Sequence, residues 1–492
     1  MVSHRASHLI FFCAFAALLV AMHVPFLTLP FHWDELGQFV PAALDLYRDG
    51  AWVPEPPTLP NVHPPGVMLI LALVWKLFGY SILSSRLTML AIAAAGVYFS
   101  FLLAIRLARK AEGAPAFAAV VFLMVAPLFY TQSMLVLLDM PAMTLTVLAL
   151  LLFFDERYAA CAAAATALVL VKETAISTPI VFAAWLWFHE KRRREAVYFL
   201  APAIALGLWL VELHYATGHW LGNDEFARFN VNQSLGFSHI VYAIGRRIFE
   251  LFVSDGHFLG AAALIAGWRL LRGKEWTIAG LVALAQMAVV TLLGGAVLDR
   301  YMLPVLPILY AAFAVAGSVW SRPVRLTAQA AMVTLFVVGW FWNPPVPFPY
   351  ENNLAMVDFV RLQQEAAEYL EDHAATQRIA TAWPFSDAVT HPEFGYVHRP
   401  LNVAVRADGV RLVNLAKLNP KDFDVLVMYS AEWSVKGRLL DIPPIRSLVN
   451  VFLDPNINAT SDEIRATLGF VPALRWTRGG QWIEVYLPAE PR

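Results

Sequence analysis

Apolar segments of about 20 residues recur between positions 9 and 342, and they constrain the fold more than any other feature. The first covers 9–29 and lacks a small-residue cleavage site. Such a segment crosses a bilayer as a helix, because lipid offers no partners to exposed backbone groups. The chain is 59% hydrophobic and 15% charged, with a mean hydropathy of +0.57, whereas soluble domains carry about 25% charged residues. We therefore expect an all-α polytopic membrane domain whose first segment is a retained span.

Basic residues set the predicted orientation, because short loops rich in Lys and Arg stay in the cytoplasm. Arg5 precedes the first span, and Lys191-Arg192-Arg193-Arg194 follows the sixth. About 11 transmembrane helices are predicted: 9–29, 87–104, 115–130, one ending at 154, 160–171, 175–188, 196–214, 258–271, 276–297, 302–319 and 326–342. Loops 30–65 and 217–250 are then external. Within the first loop, 34–48 is predicted to be a short amphipathic juxtamembrane helix. The apolar segment 66–79 is predicted to be an interfacial or re-entrant helix in preference to a span, because a span there would place Arg106, Arg109 and Lys110 outside.

The composition changes after residue 343. Residues 1–343 are predicted to form the catalytic membrane domain, and the polar, Pro-rich 344–492 an extracytoplasmic α/β domain. In the second domain, 365–373 has helical character, and 378–382, 425–429 and 482–487 are predicted strands. The net charge is −1 and no basic domain is present, so we expect no nucleic-acid partner. Cys13 and Cys161 lie in apolar runs and are predicted to be packing residues.

Charged residues recur where the predicted spans reach the external face. Asp34 and Glu35 follow the first span, and Asp139 lies at a later boundary. The same face receives His63, Lys172, Glu173, Asp299, Arg300 and Tyr301. Ionisable residues at a membrane are costly unless they are used. Arg and Lys suit a phosphate, and a carboxylate without strong cation pairing can act as a general base. The set predicts transfer of a group from a phosphate leaving group to an acceptor hydroxyl.

Each of these residues also has a structural interpretation. Asp34 and Glu35 could be solvated loop acids, and Asp139 could cap a helix. Lys172 and Arg300 could be interfacial anchors that pair with Glu173 and Asp299. His63-Pro64-Pro65 could be only a turn. The functional hypothesis depends on the whole set meeting at one face of the membrane.

Several motifs, taken in order, carry a family resemblance. They are Trp33-Asp34-Glu35, His63-Pro64-Pro65-Gly66, Ser85-Arg86-Leu87, Leu138-Asp139-Met140-Pro141, Val171-Lys172-Glu173, and Arg300-Tyr301 followed by Leu303-Pro304. Together they cover roughly 9–319. In this region the chain resembles GT-C fold glycosyltransferases of the protein O-mannosyltransferase and lipid A aminoarabinose-transferase superfamily.

The resemblance implies a GT-C-like fold and inverting transfer of one sugar from a polyprenyl-phosphate donor. The reaction would occur at the outer face of the cytoplasmic (inner) membrane, with a lipid, glycan or protein hydroxyl as acceptor. Asp34 would be the base, and Asp139 would position it or the acceptor, with Glu35 as the third candidate of the catalytic group. The residues expected at the donor phosphate are His63, Arg86, Lys172, Arg300 and Tyr301, with Glu173 beside them.

Other functions stay open at this stage. A ligase that uses a diphosphate-linked glycan would share these features, and so would a binding protein with a degenerate site. A flippase or transporter of lipid-linked sugars would place its substrate near the midplane, between repeated helices. Here the ionic residues gather at one face, and the two halves show no matching repeat. Val62 stands where an aminoarabinose transferase has an acid, which argues against a metal site of that kind. No cofactor is assigned, and a divalent metal stays open.

Overall fold

The computed structural model describes residues 4–53, 62–109, 111, 115–232, 234–343, 348–430, 442–444, 447 and 458–489. The chain divides into two compact units. The first consists of Met1–Leu27 and Gln38–Trp340, and the second of Thr28–Gly37 and Phe341–Arg492. The short segment Thr28–Gly37 therefore belongs with the C-terminal part of the chain, although it directly follows the first span.

The first unit is helical. Its helices are α1 His4–His23, α2 Val40–Arg48, α3 Gly66–Phe78, α4 Ile82–Leu107, α5 Pro115–Val125, α6 Pro127–Gln132, α7 Asp139–Phe154, α8 Tyr158–Val171, α9 Ser177–Ala184, α10 Arg193–Ala196, α11 Leu200–Thr217, α12 Asp224–Ala227, α13 Phe237–Phe252, α14 His257–Gly267, α15 Lys274–Leu292, α16 Leu306–Ala316 and α17 Arg322–Gly339. A 3-10 turn, Asp299–Val305, leads into α16. At the centre, α7 packs against α4 and α8, and α16 packs against α5.

The chain is a multi-span membrane protein. Within the described residues, five helical segments are long and apolar enough to cross a bilayer: His8–Phe26, Ile82–Leu107, Arg193–Thr217, Lys274–Leu292 and Asp299–Val319. A sixth arises if Phe237–Phe252 and Ser254–Leu270, bent by 40°, form one broken span. Shorter apolar helices include α3, α5, α7 and α8. At 1.5 Å per residue, the 13 residues of α3 measure about 20 Å, less than the thickness of the hydrocarbon core.

Helix α13 begins inside the segment 217–250, which was expected to be an external loop, and ends two residues beyond it. Its Phe237, Val241, Ile244 and Ile248 are exposed apolar residues at helical spacing. The charged residues of this segment lower its mean hydropathy, so the sequence did not indicate an apolar helix there. Since part of that charge is buried within the protein, as shown below, the helix still presents an apolar outer surface.

The second unit contains a mixed sheet of five strands. The strands are β1 Ile379–Ala382, β2 Val403–Ala407, β3 Val425–Tyr429, β4 Phe470–Arg478 and β5 Gln481–Pro488, in the order β2-β1-β3-β5-β4. β1 runs parallel to β2 and β3, whereas β5 runs antiparallel to β3 and β4. The helices are α18 Ala355–His373, α19 Phe385–Thr390, α20 Leu412–Leu415 and α21 Ser461–Leu468. Helix α18 packs against β4 and β5.

The predicted helix and three predicted strands of this unit are present, and β2 and β4 are additional. Both additional strands lie at the edges of the sheet. The β2 sequence is half exposed, and β4 contains Pro472 and two arginines. Such features are tolerated at sheet edges, where one side of the backbone ladder needs no partner, and they weaken the sequence signal of a strand.

Candidate functional site

Asp139 is the centre of a buried ionic cluster in the first unit. Its Oδ1 pairs with the Lys172 ammonium, and its Oδ2 lies 3.4 Å from Arg300 Nε. The exposed fractions of Asp139, Lys172 and Arg300 are only 3–5%. Buried charges of this kind are costly unless they are paired, so the cluster is a specific feature of this helix bundle.

Local helix geometry brings these three residues together. Asp139 is the first residue of α7, and Lys172 directly follows the last residue of α8. Because α7 and α8 pack as consecutive helices with a short connection, the start of one lies beside the end of the other. Each charge also suits its helix terminus, with the carboxylate at an amino end and the ammonium at a carboxyl end. The 3-10 turn Asp299–Val305 packs against α7 and supplies Arg300.

Tyr301 extends the cluster with an aromatic surface. Lys172 Nζ lies 4.3 Å from the centroid of the Tyr301 ring, and Arg300 Cζ lies 5.9 Å from it. The negative face of the ring attracts both cations. The Tyr301 backbone oxygen lies 3.5 Å from Gln286 Nε2 in α15, and Gln286 in turn contacts Ser177. The structure therefore brings together four of the residues predicted for the site: Asp139, Lys172, Arg300 and Tyr301.

Arg246 and Arg247 of α13 hold the segment that carries Arg300, and they were not predicted. Arg246 donates to both carboxylate oxygens of Asp299, at 2.7 and 3.2 Å. Arg247 is 1% exposed and donates to the backbone oxygens of Val290 and Leu298. Adjacent arginines in a segment of helical apolar periodicity could have indicated this role, because such residues usually find a partner inside the protein.

The ion pairs in the structure extend beyond the sequence neighbours considered above. Lys172 and Arg300 both contact the Asp139 carboxylate. Asp299 pairs instead with Arg246, and Glu173 pairs with His63. Successive residues at a helix end point in different directions, so sequence adjacency did not identify the partners.

His63 and Glu173 form a second ionic pair of the first unit. His63 Nδ1 lies 3.0 Å from Glu173 Oε2 and 3.1 Å from Oε1, and the imidazole packs against Phe39 and Phe226. Burial raises the pKa of Glu173, but the charge and hydrogen bond of His63 outweigh it, so this pKa lies below its ordinary value of 4.5. Glu173 is thus held as a carboxylate at neutral pH and orients the imidazole.

Arg86 is completely buried in α4. Its Nη1 donates to the backbone oxygen of Met134, at 2.9 Å, in the segment that leads to Asp139. This contact holds the backbone before α7 and adds no support for the predicted role in phosphate binding.

Asp34 and Glu35 lie in the second unit. Glu35 is fully buried, and its Oε2 accepts a 2.7 Å hydrogen bond from the His32 backbone N–H, so its carboxylate closes the turn that contains Asp34. Asp34 itself is half-buried. Of the two acids predicted in this motif, Glu35 has a structural role in the turn, and Asp34 is the more accessible to a substrate.

The Asp139 cluster is suited to an anion. One carboxylate and two cations give these three side chains a net charge of +1, and the surrounding apolar helices strengthen their field. A planar guanidinium and an ammonium are the groups that bind phosphate oxygens most effectively. Among the described residues, no group of three or more His, Cys, Asp and Glu side chains is arranged to hold a metal ion.

The fold defines a class of membrane protein, helical and multi-span with a C-terminal mixed sheet, and comparison with solved structures shows which proteins have a similar fold. No family model and no curated protein matches the sequence. The chain is similar to ArnT from Cupriavidus metallidurans bound to undecaprenyl phosphate, with a TM-score of 0.57 and 14% identity over 97% of both chains. It is also similar to the same protein in the apo state, with a TM-score of 0.54 over 98% of both chains.

A weaker similarity, with a TM-score of 0.46 and 11% identity, is to the archaeal oligosaccharyltransferase AglB from Archaeoglobus fulgidus, over 86% of this chain and 69% of that one. At 14% identity the similarity to ArnT establishes a common fold. The resemblance to GT-C glycosyltransferases that the motifs indicated is confirmed at that level. The chain has an ArnT-like fold.

Proposed function

We propose that this protein is an inverting glycosyltransferase that moves one sugar from a polyprenyl-phosphate donor to an acceptor hydroxyl at the external face of the cytoplasmic membrane. The observation that carries the proposal is the buried Asp139–Lys172–Arg300 cluster, with its surplus of positive charge among apolar helices. The ArnT-like fold supports it, since the ArnT structure with this fold binds undecaprenyl phosphate. The membrane domain would have about 11 spans in the predicted orientation.

In the proposed reaction, the acceptor oxygen attacks the anomeric carbon from the side opposite the phosphate. The acceptor proton passes to the Asp34 carboxylate, and the bond between the anomeric carbon and the phosphate oxygen breaks. The electron pair leaves with the polyprenyl phosphate, whose charge rises from about −1 in the donor diester toward −2 in the product. General-base action contributes about 10²–10⁴-fold to the rate.

Lys172 and Arg300 stabilise the charge that develops on the leaving phosphate. Because this charge is larger in the transition state than in the bound donor, preorganised cations lower the barrier as well as binding the donor. Asp139 holds both cations in place, and Tyr301 supports Lys172. The His63–Glu173 pair is proposed to lie beside the donor, with His63 as a further phosphate-binding residue. The acceptor is a lipid, glycan or protein hydroxyl.

Replacing Asp34 tests the chemistry. Cells that lack the protein are complemented with the native chain, Asp34→Asn or Asp49→Asn, and envelope lipids and glycans are compared by mass spectrometry. Asp34→Asn is expected to abolish the sugar modification while its polyprenyl-phosphate donor accumulates, since an amide cannot take the proton. Asp49 is an exposed acid nearby in sequence and serves as the control. Retained modification in the Asp34→Asn cells would remove Asp34 from the base role.

Binding of undecaprenyl phosphate to the purified protein tests the phosphate site separately. Arg300→Gln is expected to weaken binding about 10–100-fold, because a charge-assisted hydrogen bond contributes about 1.5–3 kcal/mol. Uncharged undecaprenol should bind the native and variant proteins equally, and Arg109→Ala, at an exposed position, should leave both affinities unchanged. If Arg300→Gln weakens binding of undecaprenol as much as binding of undecaprenyl phosphate, the substitution has instead damaged the surface that binds the polyprenyl tail. Preference for undecaprenyl diphosphate would favour the ligase alternative.

A further inference from the structure

The segment that carries Asp34 is held by the second unit through its backbone. The Phe31 N–H donates to the Phe394 carbonyl oxygen at 3.3 Å, and the Tyr396 hydroxyl donates to the Phe31 carbonyl oxygen at 2.8 Å. Phe31 and Tyr396 are 0% and 3% exposed. Buried backbone groups are costly to leave without partners, so these two hydrogen bonds fix the position of the chain three residues before Asp34.

Trp33 is held in an unfavourable backbone conformation immediately before Asp34. Its φ is +47°, in the left-handed region, which is a genuine outlier for a bulky residue. Such a conformation costs about 1–3 kcal/mol and persists only where the surrounding structure imposes it. The Trp33 backbone oxygen accepts hydrogen bonds from Leu36 N, at 2.9 Å, and Gly37 N, at 3.1 Å, which completes the turn around Asp34.

Aromatic packing imposes this conformation. The Trp33 ring meets Trp383 edge to face, with centroids 4.7 Å apart, and Phe359 at 6.1 Å. Trp383 follows β1 directly, and its backbone oxygen accepts a 2.6 Å hydrogen bond from the Tyr429 hydroxyl of β3. Phe359 lies on α18 and also contacts Tyr429. The turn is therefore anchored to the sheet and to the long helix of its own unit.

We propose that Trp33 and Tyr396 are positioning residues for Asp34, so that the C-terminal domain sets the geometry of the general base. This inference rests on the proposed function, in which Asp34 takes the acceptor proton. It assigns the C-terminal domain a role in catalysis. The strained turn limits the directions that the Asp34 side chain can take, and misplacement of a base by about 1 Å can cost about 10²-fold in rate.

Tyr396→Phe, made in the full-length protein, tests the hydrogen bond from the Tyr396 hydroxyl to the Phe31 carbonyl oxygen, because it removes the hydroxyl and keeps the ring. Tyr486→Phe is the matched control: Tyr486 is equally buried in the same unit, and its hydroxyl contacts Ser461 and Glu484. In Tyr396→Phe, amide hydrogen exchange of a peptide covering 28–37 should accelerate at least tenfold. The kcat of sugar transfer should fall at least fivefold with donor KM unchanged. Tyr486→Phe should change neither.

Two variants at Trp33 separate ring packing from backbone freedom. Trp33→Phe keeps an aromatic ring for Trp383 and Phe359, and it should retain at least half of the native kcat. Trp33→Gly relieves the left-handed strain but removes the ring, and it should lose at least tenfold in kcat and all exchange protection of 28–37. Native kcat in Trp33→Gly would overturn the inference.

The two readouts distinguish failure of this inference from failure of the proposed function. If the segment stays protected in both Tyr396→Phe and Trp33→Gly, the positioning role is wrong whatever the activity. If protection is lost while transfer continues at the native rate, the geometry of Asp34 does not control the reaction, and the inference is again wrong. If Asp34→Asn itself remains active, the proposed function fails. The hydrogen-exchange result then still shows whether Tyr396 and Trp33 hold the segment 28–37 in place.

Discussion

Asp139 and Asp34 show how two carboxylates of one chain are positioned by different forces. Asp139 lies among apolar helices, and each of its oxygens faces a cation. Asp34 lies on a turn that is held by backbone hydrogen bonds, one of them to the Glu35 carboxylate, and by aromatic rings. A carboxylate with both oxygens facing cations is suited to organising charge, whereas a half-buried carboxylate on a fixed turn is suited to receiving a proton. Removal of each charge should therefore have a different consequence.

The largest effect on stability is expected at Asp139. Asp139→Asn leaves Lys172 and Arg300 buried without their counter-charge, which should cost about 3–5 kcal/mol of unfolding free energy. Denaturant titration in mixed micelles measures this loss. Asp155→Asn is the control, because its pair with Arg106 is half exposed and should contribute less than about 1 kcal/mol.

A compensating substitution sharpens this expectation. Lys172→Met in the Asp139→Asn background removes one of the orphaned cations, so it should restore part of the lost stability. Asp34→Asn should cost less unfolding free energy than Asp139→Asn, because Asp34 is half-buried whereas Asp139 lies buried between two cations. Equal destabilisation by Asp139→Asn and Asp34→Asn would contradict the contrast between the two carboxylates.

An intermediate effect is expected at Glu173 and depends on pH. Since the folded-state pKa of Glu173 is lowered, its contribution to stability is present above about pH 4.5 and is lost as the pH falls through the folded pKa. Glu173→Gln should cost about 1 kcal/mol at pH 6 and much less at pH 3. The difference in unfolding free energy between the two proteins, measured across this range, tests the sign. A difference that grows toward low pH would contradict it.

The smallest effect is expected at Glu371 in the second unit. Burial raises its pKa, but hydrogen bonds from the backbone N–H groups of His398 and Arg399 and from the His398 ring outweigh it, so the pKa is lowered. Glu371→Gln should cost less than about 1 kcal/mol near neutral pH, and this cost should vanish on acidification. Glu368→Gln, at an exposed position of the same helix, is the control and should change nothing at either pH.

Several features of the fold and site could be predicted from short-range patterns. Long apolar segments identified a multi-span membrane protein, and ordered motifs identified the GT-C-like fold. Short, mostly apolar runs located β1, β3 and β5, because central strands are buried on both sides. Strands β2 and β4 escaped prediction because edge strands carry polar residues and, in β4, a proline.

The sequence by itself determined the membrane class, the apolar cores of the helices and the residue types at the candidate site. Tertiary structure decided which charges pair, as when Lys172 contacts Asp139 and Glu173 contacts His63. It also decided that the turn with Asp34 joins a domain that begins more than 300 residues later. The physical reason is that hydropathy and helix periodicity act over a few residues. Ion pairs and aromatic packing depend instead on distances in space, which no local pattern encodes.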